Sequence, residues 1–178
     1  SGRHLQHGDA SQPERNMEVF TNCSTASASF LLFYLLLNGS GVGRAYDDDL
    51  MLVDWDYMPA IRCVLDENHQ DFIWGEDEST REARRKYKDA HWFEIPDTRE
   101  GWAQAVEKME VMAFERKFKD DLLILDFSKV RPKGAPIGGM QGRPASGPRP
   151  LIRAIQRAAT VKGAGMKPWK QTLYVDHY

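Results

Sequence analysis

The sequence predicts an α/β protein, and three features of the chain point to that fold. An apolar stretch between acids, Asp121–Phe127, is typical of a strand that is covered on both faces. One amphipathic helix is predicted before this strand, after Pro96, and another after it, from Pro150 onward. With 178 residues, of which 42% are hydrophobic and 28% charged, the chain has the length and composition of one globular domain.

The first element with a clear signal is an apolar helix. The stretch Phe30–Leu37 is apolar on all sides, which predicts a buried helix. It ends at Asn38-Gly39, where glycine favours the left-handed cap. A glycine-rich turn follows up to Gly43.

Composition excludes several classes of protein. The longest apolar run has eight residues, whereas a membrane span needs roughly 20, and residues 1–22 are too polar for a signal peptide. We therefore expect an untargeted chain with no membrane attachment. Two cysteines, Cys23 and Cys63, are too few for a disulfide scaffold, which favours the reducing cytoplasm.

The middle of the chain, residues 44–95, predicts short strands and turns with a charged helix near Thr80–Ala90. Its acidic clusters, such as Glu76-Asp77-Glu78, lack the spacing of a calcium loop, and we interpret them as solvated faces. The next helix has a clearer start, with Asp97 as N-cap and Glu100 as its capping-box partner. Its apolar face is expected to contain four residues, Trp102, Val106, Met109 and Ala113.

A long loop follows the predicted strand. The stretch Arg131–Pro150 holds five glycines and five prolines, and loops of this length inside a domain are usually functional. An amphipathic helix should then run from Pro150 to about Gly163 or Gly165, and a last helix is expected to start at Pro168.

Charge is distributed unevenly along the chain. Residues 1–126 carry a net charge of −11, whereas Phe127–Val175 holds ten basic residues and no acidic one. Such a block attracts an anionic partner, for example the phosphates of a nucleotide or a nucleic acid. Alternatively, the two halves neutralise each other through internal ion pairs.

Two segments offer chemistry, each beside a structural alternative. Cys23 is either a small buried apolar residue or a redox thiol next to a ligand that lies on the backbone of Gly41–Gly43. The segment Gly138–Pro148 is either a solvated loop or an anion site at a helix N-terminus, flanked by arginines. A zinc site built from His4, His7, Cys23 and Cys63 matches no common ligand spacing. His69, His91 and His177 are interpreted as structural.

Three stretches together resemble the adenosylcobalamin-dependent (class II) ribonucleotide reductases. They are Phe20–Cys23 with Phe33–Gly43, then Ile95–Trp102, and then Leu123–Ala135 with Ala145–Pro148. The resemblance covers about residues 20–178. It implies part of a ten-stranded α/β barrel with an inserted α+β segment, and an enzyme that reduces the ribose 2′-hydroxyl of ribonucleotides.

The resemblance also implies roles for particular residues. Cys23 resembles the first member of the cysteine pair that becomes a disulfide as the 2′ oxygen leaves as water. The substrate-binding positions implied are Asn22, Ser40, Gly41, Val42, Gly43, Ser146 and Gly147. The loop that links the effector to the substrate base is matched by Gly139, Met140, Gln141, Gly142, Arg143, Pro144 and Ala145. Arg143-Pro144 stands where the family has Gly-Thr.

In the family, the radical cysteine and the partner of Cys23 lie beyond the position of Tyr178. We therefore expect a fragment that is inactive alone and binds no cofactor itself, with adenosylcobalamin in the full enzyme. Its expected partners are a ribonucleotide substrate, a deoxynucleotide or ATP effector, and the missing C-terminal half or a second copy. The expected division is an entry segment over 1–43, an insertion over 44–120, and a barrel strand, loop and helices over 121–178.

Two other functions are left open by the sequence. A free-standing nucleotide- or nucleic-acid-binding module would use the basic block without Cys23 chemistry. One half of a split reductase would need a second chain that carries the radical cysteine.

Overall fold

The computed structural model describes residues 23–25, 29–38, 40–43, 55–138 and 143–163. A single 3-10 turn lies at Trp55–Tyr57. The strands are β1 (Cys23–Thr25), β2 (Gly41–Gly43), β3 (Ala60–Leu65), β4 (Glu78–Ser79), β5 (His91–Glu94) and β6 (Leu122–Asp126). The helices are α1 (Ser29–Leu37), α2 (Thr80–Lys86), α3 (Arg99–Glu115) and α4 (Arg149–Gly163).

The main sheet has four strands in the order β4-β3-β6-β5, and every pair in it is parallel. The predicted strand at Asp121–Phe127 is confirmed as β6, which lies between β3 and β5. Leu125 is opposite Cys63 on one side and Phe93 on the other. Parallel strands require crossover connections. Residues 66–77 connect β3 to β4, α2 lies between β4 and β5, and α3 lies between β5 and β6.

Both faces of the sheet are covered by helices. Successive strand residues point to opposite sides, so each strand contributes apolar side chains to both faces. On one face, Leu123 and Leu125 pack against α3 and α4 in the largest apolar cluster. On the other face, Ile124 packs with Val64 and with Ala83 of α2. An α/β fold with a parallel sheet is therefore confirmed. The described strands do not form the ten-stranded barrel, which stays a prediction, as do the segment boundaries at residues 43 and 120.

The remaining two strands form a separate parallel pair around α1. This helix packs against α3, and the Arg99 guanidinium donates a 2.8 Å hydrogen bond to Asn38 Oδ1 just after the end of α1. The prediction of a buried helix was only partly right, since Leu31 and Leu36 are each 45% exposed in the described structure. Among the described elements, α1 contacts α3 and β2, and these contacts leave Leu31 and Leu36 partly exposed.

The start of α3 corrects the predicted capping. Thr98, not Asp97, is the N-cap, and its Oγ1 accepts a 2.9 Å hydrogen bond from the Gly101 amide. Asp97 instead pairs with Arg131 at 2.7 Å. Both residue types are good caps, so local sequence alone could not choose between them. The predicted face of this helix is confirmed, with Met109 and Ala113 buried and Trp102 and Val106 half-buried.

Other predicted elements match within a few residues. The charged helix ends at Lys86 rather than Ala90, and α4 begins at Arg149, directly after Pro148. The helix expected from Pro168 lies outside the described residues. Among the helices that the structure describes, none is long and apolar enough to span a bilayer.

A buried carboxylate joins three elements at the carboxyl end of the sheet. Asp126, 2% exposed, accepts hydrogen bonds from the Ser128 amide and hydroxyl, at 3.0 and 2.5 Å. The Ser128 hydroxyl in turn contacts Thr80 Oγ1 of α2 at 3.1 Å and accepts from the Asp66 amide at 2.9 Å. The ends of β3 and β6 and the start of α2 are thereby held together.

We predict that Asp126→Ala lowers the free energy of unfolding by about 3 kcal/mol, because it leaves buried donors without an acceptor. The matched control is Asp121→Ala, which removes a carboxylate that is 42% exposed and paired with His91. Its effect should stay within about 1 kcal/mol. Urea unfolding measures both variants, and equal losses would contradict this role of Asp126.

Candidate functional site

Residues 23–25, which begin with the cysteine singled out by the sequence, and residues 41–43 of the glycine turn are neighbours in the structure. Strand β1 pairs in parallel with β2, and the register places Cys23 opposite Gly41, Ser24 opposite Val42 and Thr25 opposite Gly43. Neighbouring strands lie about 4.8 Å apart. The predicted proximity of Cys23 to the turn thus holds for the backbone. Its chemical role stays a prediction.

Ser40 is a further residue of the predicted substrate site in this region. Ser40 is buried, at 3% exposure, and its amide donates to Leu35 O at 2.9 Å, which fixes the turn after α1. Asn22 lies outside the described residues.

The long loop after β6 folds back on itself. Gly134 N donates to Ala145 O, Ala145 N to Ala135 O, and Ile137 N to Arg143 O, at 2.7 to 3.0 Å. Pro136 and Pro144 form an antiparallel bridge between the two arms. The predicted effector-linked residues Arg143, Pro144 and Ala145 therefore lie on the returning arm of a short stem. Gly139, Met140, Gln141 and Gly142 lie outside the described residues.

The base of this stem rests on the connection between β3 and β4. Gly147 has a φ of +74°, and a Cβ there would lie 2.9 Å from Lys133 N and closer still to the Asp71 carboxylate. Asp71 Oδ2 accepts a 2.8 Å hydrogen bond from Lys133 N. Ser146, beside Gly147, is exposed. The two loop residues predicted to bind substrate, Ser146 and Gly147, therefore lie at the base of the stem, where Gly147 packs against Asp71. Their contact with a substrate stays a prediction.

Arg149 connects the end of the loop to Asp71 and Asp77. Its guanidinium binds both carboxylate oxygens of Asp77 and also donates to Asp71 O at 2.9 Å. The Asp77 side chain is only 7% exposed, so the interpretation of residues 76–78 as a solvated cluster is wrong for this residue. Sequence reasoning missed the pair because its members are 72 residues apart.

The environment of Asp77 changes its acidity. Burial by itself would raise the pKa of this carboxyl. Hydrogen bonds from Arg149 and from the Ile73 amide, together with the charges of Arg149 and His69, outweigh burial and hold the pKa below its usual value. The same hydrogen bond raises the pKa of the Arg149 guanidinium. Both groups therefore stay charged near neutral pH.

Part of the basic block is neutralised internally. Lys129 pairs with Glu94, Arg131 with Asp97, and Arg149 with Asp77. Each of these acids belongs to the acidic part of the chain, as the second interpretation of the charge pattern predicts. Lys129 is exposed although it is paired, and four other basic side chains of the block are exposed in the described structure, namely Lys133, Arg143, Arg153 and Arg157.

The other candidates from the sequence have structural explanations in the described residues. Cys63 is a free thiol on β3 whose burial raises its pKa to about 12, so it stays protonated and unreactive. His69 and His91 are held by Val130 O and by Asp121. Among the described residues, no group of three or more histidine, cysteine or acidic side chains could hold a metal ion. His4, His7 and His177 lie outside them.

A shallow cleft of about 450 Å³ opens at the carboxyl ends of β3 and β6. Ligands of open α/β sheets bind at this edge. Sequence patterns did not reveal the cleft, because its two walls come from segments about 60 residues apart. Its lining consists of Asp66, Asn68, His69, Gln70, Ser128 and Pro132.

We predict that Gly147→Ala destabilises the protein by more than about 3 kcal/mol, since it adds a clash to the roughly 1 kcal/mol cost of a positive φ. Gly75→Ala is the matched control, because Gly75 has a φ of +85° and open space around its Cα. That variant should cost about 1 kcal/mol. Similar losses in chemical denaturation would show that Gly147 does not pack as described.

The Asp77–Arg149 pair predicts a pH dependence of stability. A lowered pKa in the folded state contributes stability above the unfolded value of about 3.9, and this stability is lost as pH falls through the folded pKa. The stability difference between the wild type and Asp77→Asn should therefore be constant from about pH 5 upward and shrink below about pH 4. Unfolding curves at several pH values measure it. A difference that grows on acidification would contradict the assignment.

Comparison with known proteins places this geometry in one family. Residues 63–161 match the family model described as the B12-dependent ribonucleotide reductase insertion domain. An adenosylcobalamin-dependent ribonucleoside-triphosphate reductase of Lactobacillus helveticus is 34% identical over 131 residues, which are 68% of this chain and 18% of that protein. A putative reductase of the same name from Mycobacterium phage D29 is 26% identical over 99% of this chain and 26% of its own length.

A solved structure supports the same assignment. The crystal structure of a B12-dependent (class II) ribonucleotide reductase superposes with a TM-score of 0.59 and 30% identity, over 77% of this chain and 20% of that one. The chain thus spans about a fifth to a quarter of the length of these relatives. Residues 63–161 match the insertion domain of this family. These matches show that the chain belongs to the B12-dependent, class II ribonucleotide reductase family.

Proposed function

We propose that this chain is part of a ribonucleotide reductase that makes 2′-deoxyribonucleotides. In this proposal, Cys23 is a redox cysteine and the loop 131–149 recognises the base of the nucleotide. The observation that carries the proposal is the pairing of Cys23 with Gly41 in a chain of this family. A backbone without side chains at Gly41 and Gly43 lets a ribose approach closely, and the thiol segment runs beside it.

Cys23 supplies one of the two reducing thiols in this proposal. As the C2′–O bond breaks and the oxygen leaves as water, two thiols lose two electrons and form a disulfide, while C2′ gains a hydrogen. Cys63 is not assigned as the second thiol, because it is partly buried on β3, packed against the main apolar cluster, and burial raises its pKa to about 12. The second thiol and the radical-bearing cysteine come from other polypeptide, either the rest of a longer chain or a separate one.

The nucleotide is proposed to lie between two parts of the chain. Residues 40–43 form its floor, and residues 139–147 read its base and respond to a deoxynucleotide or ATP effector. Among the described residues, Lys133 and Arg143 are exposed and form none of the ion pairs of the basic block, so we assign them to the phosphates. The names of the relatives support ribonucleoside triphosphates as substrates.

Adenosylcobalamin is the cofactor named for the relatives, and it would supply the initiating radical in the complete enzyme. The described residues do not fit it. Their cleft of about 450 Å³ is in the lower half of the range for drug-sized ligands, and a cobalamin is several times larger than such a ligand. We therefore assign nucleotide contacts to this chain and do not place the cobalamin in this cleft.

The purified chain is expected to bind ribonucleoside triphosphates and to reduce none of them when adenosylcobalamin and a dithiol are added. Gly43→Val should weaken binding roughly tenfold by closing the floor of the site, whereas Gly75→Ala should not change it. Isothermal titration measures binding, and chromatography of the products measures reduction. Deoxynucleotide formation by the chain alone would overturn the proposal.

The role of Cys23 can be tested in a complete enzyme. This chain replaces the matching 26% of the Mycobacterium phage D29 reductase, a match that covers 99% of this chain. The chimera is compared with its Cys23→Ser and Cys63→Ser variants. We expect Cys23→Ser to abolish deoxynucleotide formation with nucleotide binding unchanged, and Cys63→Ser to retain activity. Equal activity in both variants would contradict the assignment. Binding that is strongly salt-dependent and equally tight for RNA would favour a nucleic-acid-binding module instead.

A further inference from the structure

The connection between β3 and β4, residues 66–77, contacts the loop 131–149 at both ends. At the start of the loop, a His69 ring nitrogen lies 2.7 Å from Val130 O, and Asp71 Oδ2 accepts from Lys133 N at 2.8 Å. At the end of the loop, Arg149 binds Asp71 O and the Asp77 carboxylate. One short segment therefore fixes the separation of the two arms of the stem.

This segment is itself rigid in the part that makes these contacts. Asp77 Oδ2 accepts a 2.8 Å hydrogen bond from Ile73 N, and Asp77 N donates to Ile73 O at 3.0 Å. His69 Nδ1 accepts from Asp71 N at 3.1 Å. The side chains of His69 and Asp77 are thus oriented by bonds within residues 69–77, whereas the Asp71 carboxylate accepts from Lys133 N of the loop itself.

The close packing leaves little freedom at the base of the stem. Gly147 fits against Asp71 and Lys133 only because it lacks a side chain. Arg149 is the first residue of α4, so its bonds to Asp77 fix the point at which the loop becomes helix. A displacement of Asp71 or Asp77 would therefore move the returning arm, residues 143–147, relative to the outgoing arm.

We infer that Asp71, Asp77 and Arg149 are positioning residues that set the conformation of the loop 131–149 and thereby its preference among nucleobases. The inference about base preference rests on the proposed function, whereas the inference about loop conformation does not. None of the three residues needs to touch the nucleotide. Their effect is transmitted through the two described arms of the stem, residues 131–138 and 143–149.

The test uses the full chain with Asp77→Asn, Asp71→Asn and Arg149→Lys, and Asp121→Asn as the matched control on an exposed, remote pair. Hydrogen–deuterium exchange is followed at the amides of Gly134 and Ala145 and, for reference, within β6. In the variants, we expect the amides of Gly134 and Ala145 to exchange roughly tenfold or more faster than in the wild type, because a hydrogen bond to a charged group is lost. Exchange within β6 should be unchanged. Lysine keeps the charge but not the two-pronged contact, so Arg149→Lys should be intermediate.

The second readout is base preference, expressed as the ratio of the dissociation constant of each ribonucleoside triphosphate to that of the tightest-binding one. The inference predicts that this ratio changes severalfold in Asp77→Asn and Asp71→Asn and stays constant in Asp121→Asn. Stem exchange equal to that of the wild type would overturn the positioning role. Faster stem exchange with an unchanged ratio would overturn the role in base preference. Absence of nucleotide binding in the wild type would refute the proposed function alone, because the exchange experiment still decides the positioning role.

Discussion

The burial of β6 on both faces is the constraint on which the rest of the structure depends. A strand between two parallel neighbours, with helices on both sides, can place polar groups only at its ends. Asp126 is such a group, and its bonds to Ser128 tie the end of β6 to Asp66 and to Thr80. The loop 131–149 begins a few residues later, so its starting point is as rigid as the sheet.

Ion pairs between the two halves of the chain build the loop's surroundings. The carboxylates of Asp77 and Asp97 belong to the acidic part, and their partners Arg149 and Arg131 belong to the basic block. Burial makes the Asp77–Arg149 pair more than a surface contact, because removing either member would leave a charge largely shielded from water. The uneven charge distribution of the sequence is therefore explained in part by ion pairs between the two halves of the chain.

Much of the fold could be predicted from local patterns. The uninterrupted apolar run gave β6, the proline before an amphipathic stretch gave the start of α4, and the spacing of Met109 and Ala113 gave the buried face of α3. Strand β4 could not be predicted, because its two residues, Glu78 and Ser79, carry no periodicity. They form a strand only because the chain returns beside the end of β3.

The candidate site divides in the same way. The neighbourhood of Cys23 and Gly41 could be predicted because both residues lie close in sequence to one helix. The anchoring of the loop could not, since it depends on which strand ends meet at the edge of the sheet. Asp71 and Asp77 read locally as ordinary loop acids, and only the order β4-β3-β6-β5 brings them to Lys133 and Arg149.

The central claim is that the thiol of Cys23 borders a nucleotide that lies on residues 41–43. The most direct measurement is the rate of Cys23 alkylation by iodoacetamide, with and without saturating ribonucleoside triphosphate, read by mass spectrometry. Cys63 serves as the internal reference, because burial keeps its thiol protonated. The account predicts that bound nucleotide slows the alkylation of Cys23 severalfold. An identical rate with and without bound nucleotide would contradict it.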